Sequence, residues 1–550
     1  MPKRKPESPK RVIPRRSIQT EWRESSAVER ATTVVLLALV AYALLQVAIN
    51  YPASFYPRYA DEGIYALDAR VPASIFSDYQ KGQVRYAPAK LGYGIPLAAS
   101  VALAGSNGPM YLSTLLWLAT IVLVGYEVLR RFGFLDAVIA VGFLSVSPMF
   151  GKYLTEVDPT MEAAFAFALL WVVALRRRFL LTGLCIGLIA FIDFKWAVPA
   201  GLAFTAVELF GERARPLKDR AVQVILAGLV AIAAIGLAML LHRPYARFLS
   251  EYVFPHSDLI LFAPSAIILY FLAIFGAFPM LLVGAAGLIW RGPRVPTLDC
   301  EKKRAVTYAL ILALVPIAFY SLFGVLKALR FFAVFLPLLA IPAGIGLGGL
   351  VRRCADALAR FSSAMRTALA GLVALAAMAV VHGGSAGSWH HLRLPAAFPE
   401  ALARLQQTRT EGGSVSSYNW PVVAYGWPEP FPGAPFAFYG LQTSDRWIAT
   451  DPALDRATIE LRLRLSGDHG SADSAWHHQM GIYLAVTDSL YSLPSDFYSS
   501  AYFLSESVPG GASVLHRWLK RESGHANSLT IRRINPQKVE DYKRKIGQPH

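Results

Sequence analysis

The sequence of 550 residues has little charge and little cysteine. Charged residues make up 17% of the chain, whereas 55% of the residues are hydrophobic and the mean hydropathy is +0.40. This composition is too apolar for an ordinary soluble domain and is typical of a membrane protein. The three cysteines, Cys185, Cys300 and Cys354, all precede residue 384. The chain beyond that point must therefore hold together without disulfides.

The chain also lacks a clustered basic surface, although its formal net charge is +17. Lysine and arginine lie between the apolar blocks, and this distribution argues against nucleic-acid binding. It indicates a topology signal and attraction to anionic lipid instead. Residues 1–30 carry nine Lys or Arg but no short apolar core followed by a small-residue cleavage site. We expect a retained cytoplasmic tail and no cleaved signal peptide.

Long hydrophobic runs are abundant. They come in blocks of about 17 to 25 residues, which is the length a helix needs to cross roughly 30 Å of hydrocarbon. The predicted spans lie near residues 31–49, 109–129, 134–150, 158–175, 179–193, 196–210, 221–241, 263–289, 305–324, 331–350 and 366–382. The pattern predicts a polytopic α-helical membrane protein with about eleven transmembrane helices.

Lysine and arginine are unequally divided between the alternating loops. With the N-terminus inside, the cytoplasmic segments hold 27 of these residues, and the outer segments before residue 384 hold 11. This positive-inside bias predicts a cytoplasmic N-terminus and places everything after Gly383 outside the cytoplasm. We expect a multi-pass protein of a bacterial inner membrane.

The predicted spans divide the chain into the basic tail 1–30, the transmembrane domain 31–383 with a long first outer loop at 51–108, and the outer domain 384–550. The first outer loop is too long for a simple connection, so we expect short helices on the membrane surface there. The outer domain has β-prone runs at Ile482–Val486 and Ser513–His516 and a helical stretch at Ala397–Gln407. These features predict a small extracytoplasmic α/β domain.

Carboxylates recur at the outer ends of the predicted helices. Asp61 and Glu62 open a segment in which spacings of four and seven place Asp61, Tyr65 and Asp68 on one helical face. Later outer turns add Glu156, Asp158, Asp193, Lys195, Lys327 and Arg330. Charges at a membrane edge are costly, and they usually pair or serve a substrate. We predict one polar site at the outer interface; the alternative is a set of ion pairs that locks the bundle.

Such a site has the groups needed for transfer of a sugar from a lipid-linked phosphate. A carboxylate can deprotonate an acceptor hydroxyl, and lysine or arginine can stabilise a phosphate as it leaves. The lipid tail would enter from the bilayer while the sugar projects outward. Because phosphate is already a good leaving group, no second, protonating acid is required, in contrast to glycoside hydrolysis.

Four segments carry a resemblance to a known family. They are Asp61-Glu62 with Tyr65; Glu156-Val-Asp158-Pro-Thr-Met-Glu162 followed by Phe165–Trp171; Ala190–Pro199 with Lys195; and Arg330-Phe-Phe-Ala-Val-Phe-Leu-Pro337. In this order, over roughly residues 31–350, they resemble the motifs of GT-C glycosyltransferases. That group includes protein O-mannosyltransferases and the aminoarabinose transferase of lipid A.

The resemblance implies a polyprenyl-phosphate sugar as donor and a catalytic base at the first aspartate, which is Asp61 here. The catalytic candidates are Asp61, Glu62 and Asp158. The cations expected at the donor phosphate are Lys195, Arg330, Lys327, Arg85 and Lys90, and the residues expected to line the substrate are Tyr65, Glu156 and Arg243. Family members often carry Lys-Pro-Pro-Leu-Tyr before the second span, whereas this chain reads Tyr86-Ala-Pro-Ala-Lys90-Leu-Gly-Tyr93. The phosphate contact from that loop is therefore assigned to Arg85 or Lys90.

The predicted activity is that of a hexosyl- or pentosyltransferase acting with inversion on an acceptor hydroxyl at the outer face. The expected partners are membrane lipids, the lipid-linked donor, and a glycan, lipid or protein acceptor, with no nucleic acid. The alternatives are a lipid or sugar transporter or flippase, and a non-catalytic carbohydrate-binding membrane protein. His390-His391 and His477-His478 have no companions at metal-ligand spacing, so no zinc site and no cofactor are predicted. Dependence on another divalent metal stays open.

Overall fold

A computed structural model describes the protein at residues 22, 27–55, 65–66, 69, 90–147, 150–151, 153–210, 215–250, 300–323, 330–357, 361–369, 371–372, 376, 498–505 and 528–534. Within these ranges the chain is mostly helical. The predicted span 263–289, most of the span 366–382, the Ala397–Gln407 helix and the Ile482–Val486 and Ser513–His516 runs lie outside them.

The helices follow the apolar blocks of the sequence. In chain order they are α1 Ala27–Asn50, α2 Leu91–Ala104, α3 Gly108–Phe132, α4 Phe134–Val146, α5 Thr160–Leu175, α6 Phe179–Ile192, α7 Ala197–Phe210, α8 Leu217–Leu241, α9 Arg243–Phe248, α10 Cys300–Phe323, α11 Arg330–Ala333 and α12 Leu336–Ala357. Short 3-10 helices at Gly105–Asn107 and Phe194–Trp196 precede α3 and α7. Helix α2 falls within residues 51–108, for which the sequence predicts an outer loop with short surface helices, and that assignment stays a prediction.

Five helical segments in the described part of the chain are long and apolar enough to cross a membrane: Glu29–Asn50, Leu91–Phe132, Leu217–Leu241, Glu301–Tyr320 and Leu336–Arg353. Three shorter apolar helices, α4, α5 and α6, pack among them. The membrane-protein class predicted from composition agrees with this architecture. The predicted spans 179–193 and 196–210 end within one residue of α6 and α7.

The predicted span 331–350 differs from the structure, because a turn at Val334 and Phe335 separates α11 from α12. Pro337 occupies the first turn of α12, where its missing N–H has no intrahelical partner to lose. Helix α12 therefore begins anew next to this proline.

The bundle core is formed by large side chains with no access to solvent, among them Trp171 of α5. The Trp171 indole N–H donates to the Ala305 carbonyl oxygen at 3.0 Å and so joins α5 to α10. Helices α6 and α8 approach closely at Gly183, where an added Cβ would lie 2.4 Å from the Ala227 carbonyl oxygen. Such close backbone contact is common between membrane helices that present small residues.

The end of the bundle at which α3 finishes and α4 begins contains buried carboxylates paired with arginine. Glu127 is fully buried and forms ion pairs with Arg130, Arg131 and Arg176. This is the end that the charge asymmetry predicts to be cytoplasmic. The arginines that the sequence pattern counted as topology signals therefore also tie helices together.

In the C-terminal part of the chain, β1 Tyr498–Ser505 and β2 Ser528–Ile534 form an antiparallel pair. In this register Phe503 faces Thr530, and Ala501 faces Arg532. The predicted α/β domain extends well beyond these two strands, and it stays a prediction.

Candidate active site at the Asp193 end of the bundle

Two lysines converge on one carboxylate where α6 ends. The Lys90 Nζ lies 3.1 Å from Asp193 Oδ2, and the Lys195 Nζ lies 2.9 Å from the same oxygen. The Asp193 side chain is 10% exposed, that of Lys90 12% and that of Lys195 33%. Lys195 is therefore the most exposed member of a nearly buried ion cluster.

Local sequence explains how Asp193 is held. The residue follows the apolar helix α6 in an extended conformation, with φ −161° and ψ 113°. Its side chain accepts a hydrogen bond from the Lys195 backbone N–H at 3.3 Å and so caps the Phe194–Trp196 3-10 helix. Aspartate is a favoured capping residue because its short carboxylate reaches such an N–H. The Asp-Phe-Lys order thus places the carboxylate and one of its cations in a single turn.

Lys90 reaches the cluster from a different segment, immediately before α2. Its ammonium donates to the Tyr65 hydroxyl at 2.6 Å and lies 5.2 Å from the centre of the Tyr65 ring. The Tyr65 ring packs edge to face on Tyr93 with the ring centres 4.8 Å apart, and both residues are buried. Lys90, a predicted phosphate ligand, is therefore in direct contact with Tyr65, a predicted substrate-lining residue.

Aromatic side chains pack next to Lys195. The Lys195 Nζ lies 5.3 Å from the centre of the Trp196 ring. The Trp196 ring lies 4.6 Å from that of Tyr320 in α10 and 5.4 Å from that of Phe335, between centres. Phe335 belongs to the Arg330–Pro337 motif, so two of the four motif segments meet here.

The charges of the two lysines change the acidity of Asp193. Burial raises the pKa of the Asp193 carboxyl, but the ammonium groups of Lys195 and Lys90 more than offset it, and the pKa lies below its ordinary 3.8. Burial, followed by the Asp193 charge, raises the pKa of Tyr245 above its ordinary value. The carboxylate is therefore charged and the Tyr245 phenol neutral at neutral pH.

The turn that carries Glu156 and Asp158 packs against the same region. Val157, between Glu156 and Asp158, belongs to the buried cluster that contains Tyr65 and Tyr93. Asp158 Oδ1 accepts the Thr160 backbone N–H at 2.6 Å, at the start of α5. Glu156 is buried, and its carbonyl oxygen accepts the Ser113 hydroxyl at 2.9 Å.

Arg243 lies at the start of α9 and is exposed, whereas Tyr245 in the same short helix is fully buried. The Tyr245 hydroxyl donates to the Ala190 carbonyl oxygen at 3.4 Å, near the end of α6. Tyr245 thus attaches α9 to the end of α6, next to the Asp193 turn. Arg243 is presented to solvent beside it.

Several predicted site residues cannot be placed. Asp61, Glu62, Arg85 and Lys327 lie outside the described residues. Arg330 begins α11, and its backbone alone is described. The roles assigned to all these residues stay predictions.

Asp193 has no predicted role in the sequence, although it is the anion that both lysines contact. Glu162, also without an assigned role, is buried in the first turn of α5. A carboxylate directly after a fourteen-residue apolar helix and two residues before a lysine was the available signal for Asp193. Its link to Lys90 had no local signal.

Across the ranges that the structure describes, no group of three or more His, Cys, Asp or Glu residues is placed to hold a metal ion. The two histidine pairs weighed in the sequence lie outside those ranges.

Neither protein-family models nor curated proteins give a match for this chain. Similar solved structures include ArnT from Cupriavidus metallidurans bound to undecaprenyl phosphate, at a TM-score of 0.44 and 16% identity over 85% of this chain and 92% of that one. The archaeal oligosaccharyltransferase AglB from Archaeoglobus fulgidus, in complex with an inhibitory peptide and a dolichol-phosphate, has a TM-score of 0.44 and 16% identity over 73% of this chain and 61% of that one. Both belong to the GT-C superfamily that the sequence motifs resemble.

Proposed function

We propose that the protein is a membrane glycosyltransferase that moves a sugar from a polyprenyl-phosphate donor to an acceptor hydroxyl at the outer face, with inversion. The observation that carries this proposal is the pair of ammonium groups, Lys90 and Lys195, within 3.1 Å of one Asp193 oxygen and beside Tyr65. Cations that converge at the end of an apolar helix bundle suit a phosphate whose lipid tail lies in the bilayer.

The proposed reaction needs a base for the acceptor hydroxyl and cations for the leaving phosphate. The acceptor oxygen forms a bond to the anomeric carbon, and its proton passes to a carboxylate, for which Asp61 is the candidate. The bond between that carbon and the phosphate oxygen breaks, and its electron pair stays on the lipid phosphate. Lys90 and Lys195 stabilise the charge that develops there, together with Arg330 and Lys327 as further candidates.

The turn that carries Glu156 and Asp158 supports the proposed binding of an acceptor. Val157 belongs to the same buried cluster as Tyr65, so the turn that carries Glu156 and Asp158 lies near the segment that follows Asp61 and Glu62 in the chain. Sugar hydroxyls are commonly held by carboxylates, and the exposed Arg243 is available where α9 meets the solvent. A glycan, a lipid or a protein can be the acceptor.

A transporter is the second candidate. Transporters bind their substrates near the bilayer midplane between interrupted helices. The lysine and aspartate cluster described above instead lies in the connections that follow α6 and precede α2. This placement favours chemistry at an interface over passage through the bundle.

The test is transfer by the purified, reconstituted protein from radiolabelled polyprenyl-phosphate sugars to extracted envelope lipids and glycans. Lys90→Ala and Lys195→Ala should each lower transfer at least tenfold at a temperature at which both variants remain folded. In parallel, mass spectra of envelope glycolipids and glycoproteins from cells with and without the protein should differ by one sugar residue. Unchanged spectra and no transfer by the wild type would reject the enzyme, whereas full activity of both variants would reject the phosphate site.

A further inference from the structure

Asp193 occupies the position between two cations that a phosphate oxygen would be expected to take. Its Oδ2 lies within 3.1 Å of both ammonium groups, and its Oδ1 is engaged with the Lys195 backbone N–H. A phosphate that reaches Lys90 and Lys195 must therefore bind next to a fixed negative charge. This carboxylate reduces the positive charge that the ligand meets by one unit.

We propose that Asp193 sets the charge preference of the phosphate site, so that the singly charged phosphodiester of the donor is accepted and the doubly charged phosphomonoester product is released. This inference rests on the proposed function, because it takes the lysine pair to be the donor phosphate site. It assigns Asp193 to product release, as a specificity-determining residue.

The chemistry of the transfer makes such a device useful. In the donor, the phosphate is esterified to both lipid and sugar and carries one negative charge. When the bond to the sugar breaks, the lipid phosphate keeps the electron pair and becomes a monoester, whose second pKa is near 6. Two lysines without a counter-charge would hold this dianion more tightly than the donor, and the product would block the site.

The size of the effect follows from the difference in ligand charge. A unit charge a few ångströms away in a partly buried site interacts with a ligand charge by an amount equivalent to about tenfold or more in affinity. Asp193 opposes a dianion by twice what it opposes a monoanion. Its removal should therefore improve dianion binding by about tenfold more than monoanion binding, whatever other charges surround the site.

Groups from several elements face Asp193. They are Lys195 on its own turn, Lys90 before α2, Tyr245 of α9 and Tyr320 of α10, with Tyr65 in contact with Lys90. The lysines keep Asp193 ionised from pH 5 to pH 8, since its pKa lies below 3.8. Over that range the phosphomonoester itself changes charge, and this change supplies the experimental signal.

The test uses undecaprenyl phosphate and its methyl ester, which share a lipid but carry two charges and one charge, respectively, at pH 8. Binding of both probes to the full-length protein in detergent is measured at pH 5 and pH 8. The quantity compared is the rise in affinity for the monoester between these values, relative to the methyl ester. For Asp193→Asn, which keeps a side-chain oxygen to cap Lys195, this rise should be at least about tenfold larger than for the wild type. Asp193→Glu should restore the wild-type pattern.

The outcomes are distinguishable. Equal effects of Asp193→Asn on both probes would overturn the inference and leave a structural role for Asp193. If Asp193→Asn does not fold, Asp193→Ser takes its place, because serine also removes the charge and keeps an oxygen that can cap Lys195, and equal effects on both probes would again overturn the inference. Failure of the wild type to bind either probe would reject the donor site, and with it the proposed function.

Discussion

The ammonium of Lys90 donates a hydrogen bond of 2.6 Å to the hydroxyl of Tyr65, and the two residues come from separate segments that both precede α2. The Tyr65 ring is buried against Tyr93, so its hydroxyl is a fixed acceptor for a flexible side chain. This contact orients Lys90 toward Asp193 and reduces the entropy lost when a phosphate binds.

Replacing Tyr65 with phenylalanine should therefore weaken donor binding more than it lowers the maximal rate. A hydrogen bond to a charged group contributes about 1.5 to 3 kcal/mol, which corresponds to a loss of affinity of about tenfold or more. The measurements are the dissociation constant of the polyprenyl-phosphate sugar donor and the maximal transfer rate. Tyr51→Phe is the matched control, because its hydroxyl contacts Thr114 at 2.8 Å. Equal affinities for both variants and the wild type would contradict the positioning role of Tyr65.

Asp61→Asn should abolish most of the transfer. The substitution keeps the size of the side chain but removes the proton acceptor, and loss of general-base help usually costs about 10² to 10⁴ in rate. Asparagine caps a helix nearly as well as aspartate, so the melting temperature should hardly change. Asp68→Asn is the control and should keep much of its activity. An inactive Asp158→Asn or Glu62→Gln beside an active Asp61→Asn would move the base within the same site.

The stability difference between the wild type and Asp193→Asn should depend on pH. The pKa of Asp193 is lower in the folded protein than its ordinary 3.8, so folding favours the charged form. This stabilisation is complete above that ordinary value and disappears as the pH falls through the lower folded pKa. Melting temperatures measured from pH 7 down to pH 3 should converge. The exposed Asp219→Asn should show a much smaller difference, and a constant gap for Asp193→Asn would contradict the ion cluster.

Gly348→Ala should destabilise the bundle. A Cβ at Gly348 would lie 1.9 Å from Asp136 Oδ1, which accepts a hydrogen bond from Arg352 at 3.1 Å. Displacement of a buried carboxylate from its arginine costs about 3 kcal/mol or more. Gly228→Ala in α8 is the control, because nothing lies within 4 Å of its Cβ position and alanine is the better helix former. Thermal unfolding in detergent compares the two, and a Gly348→Ala protein as stable as Gly228→Ala would contradict this packing.

Topology gives a further prediction. A reporter fused after Gly383 should be active only outside the cytoplasm, and one fused near Lys218 only inside, because of the asymmetry of 27 to 11 in lysine and arginine. Alkaline phosphatase and green fluorescent protein fusions measure the two sides. The reverse pattern would place Asp193 and its lysines on the wrong face for an outer acceptor.

The sequence by itself determined the membrane class and most described helix limits. An apolar block that ends at charged or turn residues can be satisfied in a bilayer only as a helix, so the block at 179–193 became α6, Phe179–Ile192. The capping of the Lys195 turn by Asp193 is equally local, since both residues belong to one short segment.

Tertiary structure alone decided which charges meet. Lys90 and Asp193 are far apart in the chain, and the packing of α2 beside α6 brings their side chains to 3.1 Å. The same holds for Arg352 and Asp136, which contact each other because Gly348 leaves room for the carboxylate. Hydropathy and charge patterns show whether a segment is stable in lipid or in water. Which charged side chains contact each other depends on how the helix surfaces fit, and that fit is a property of the assembled bundle.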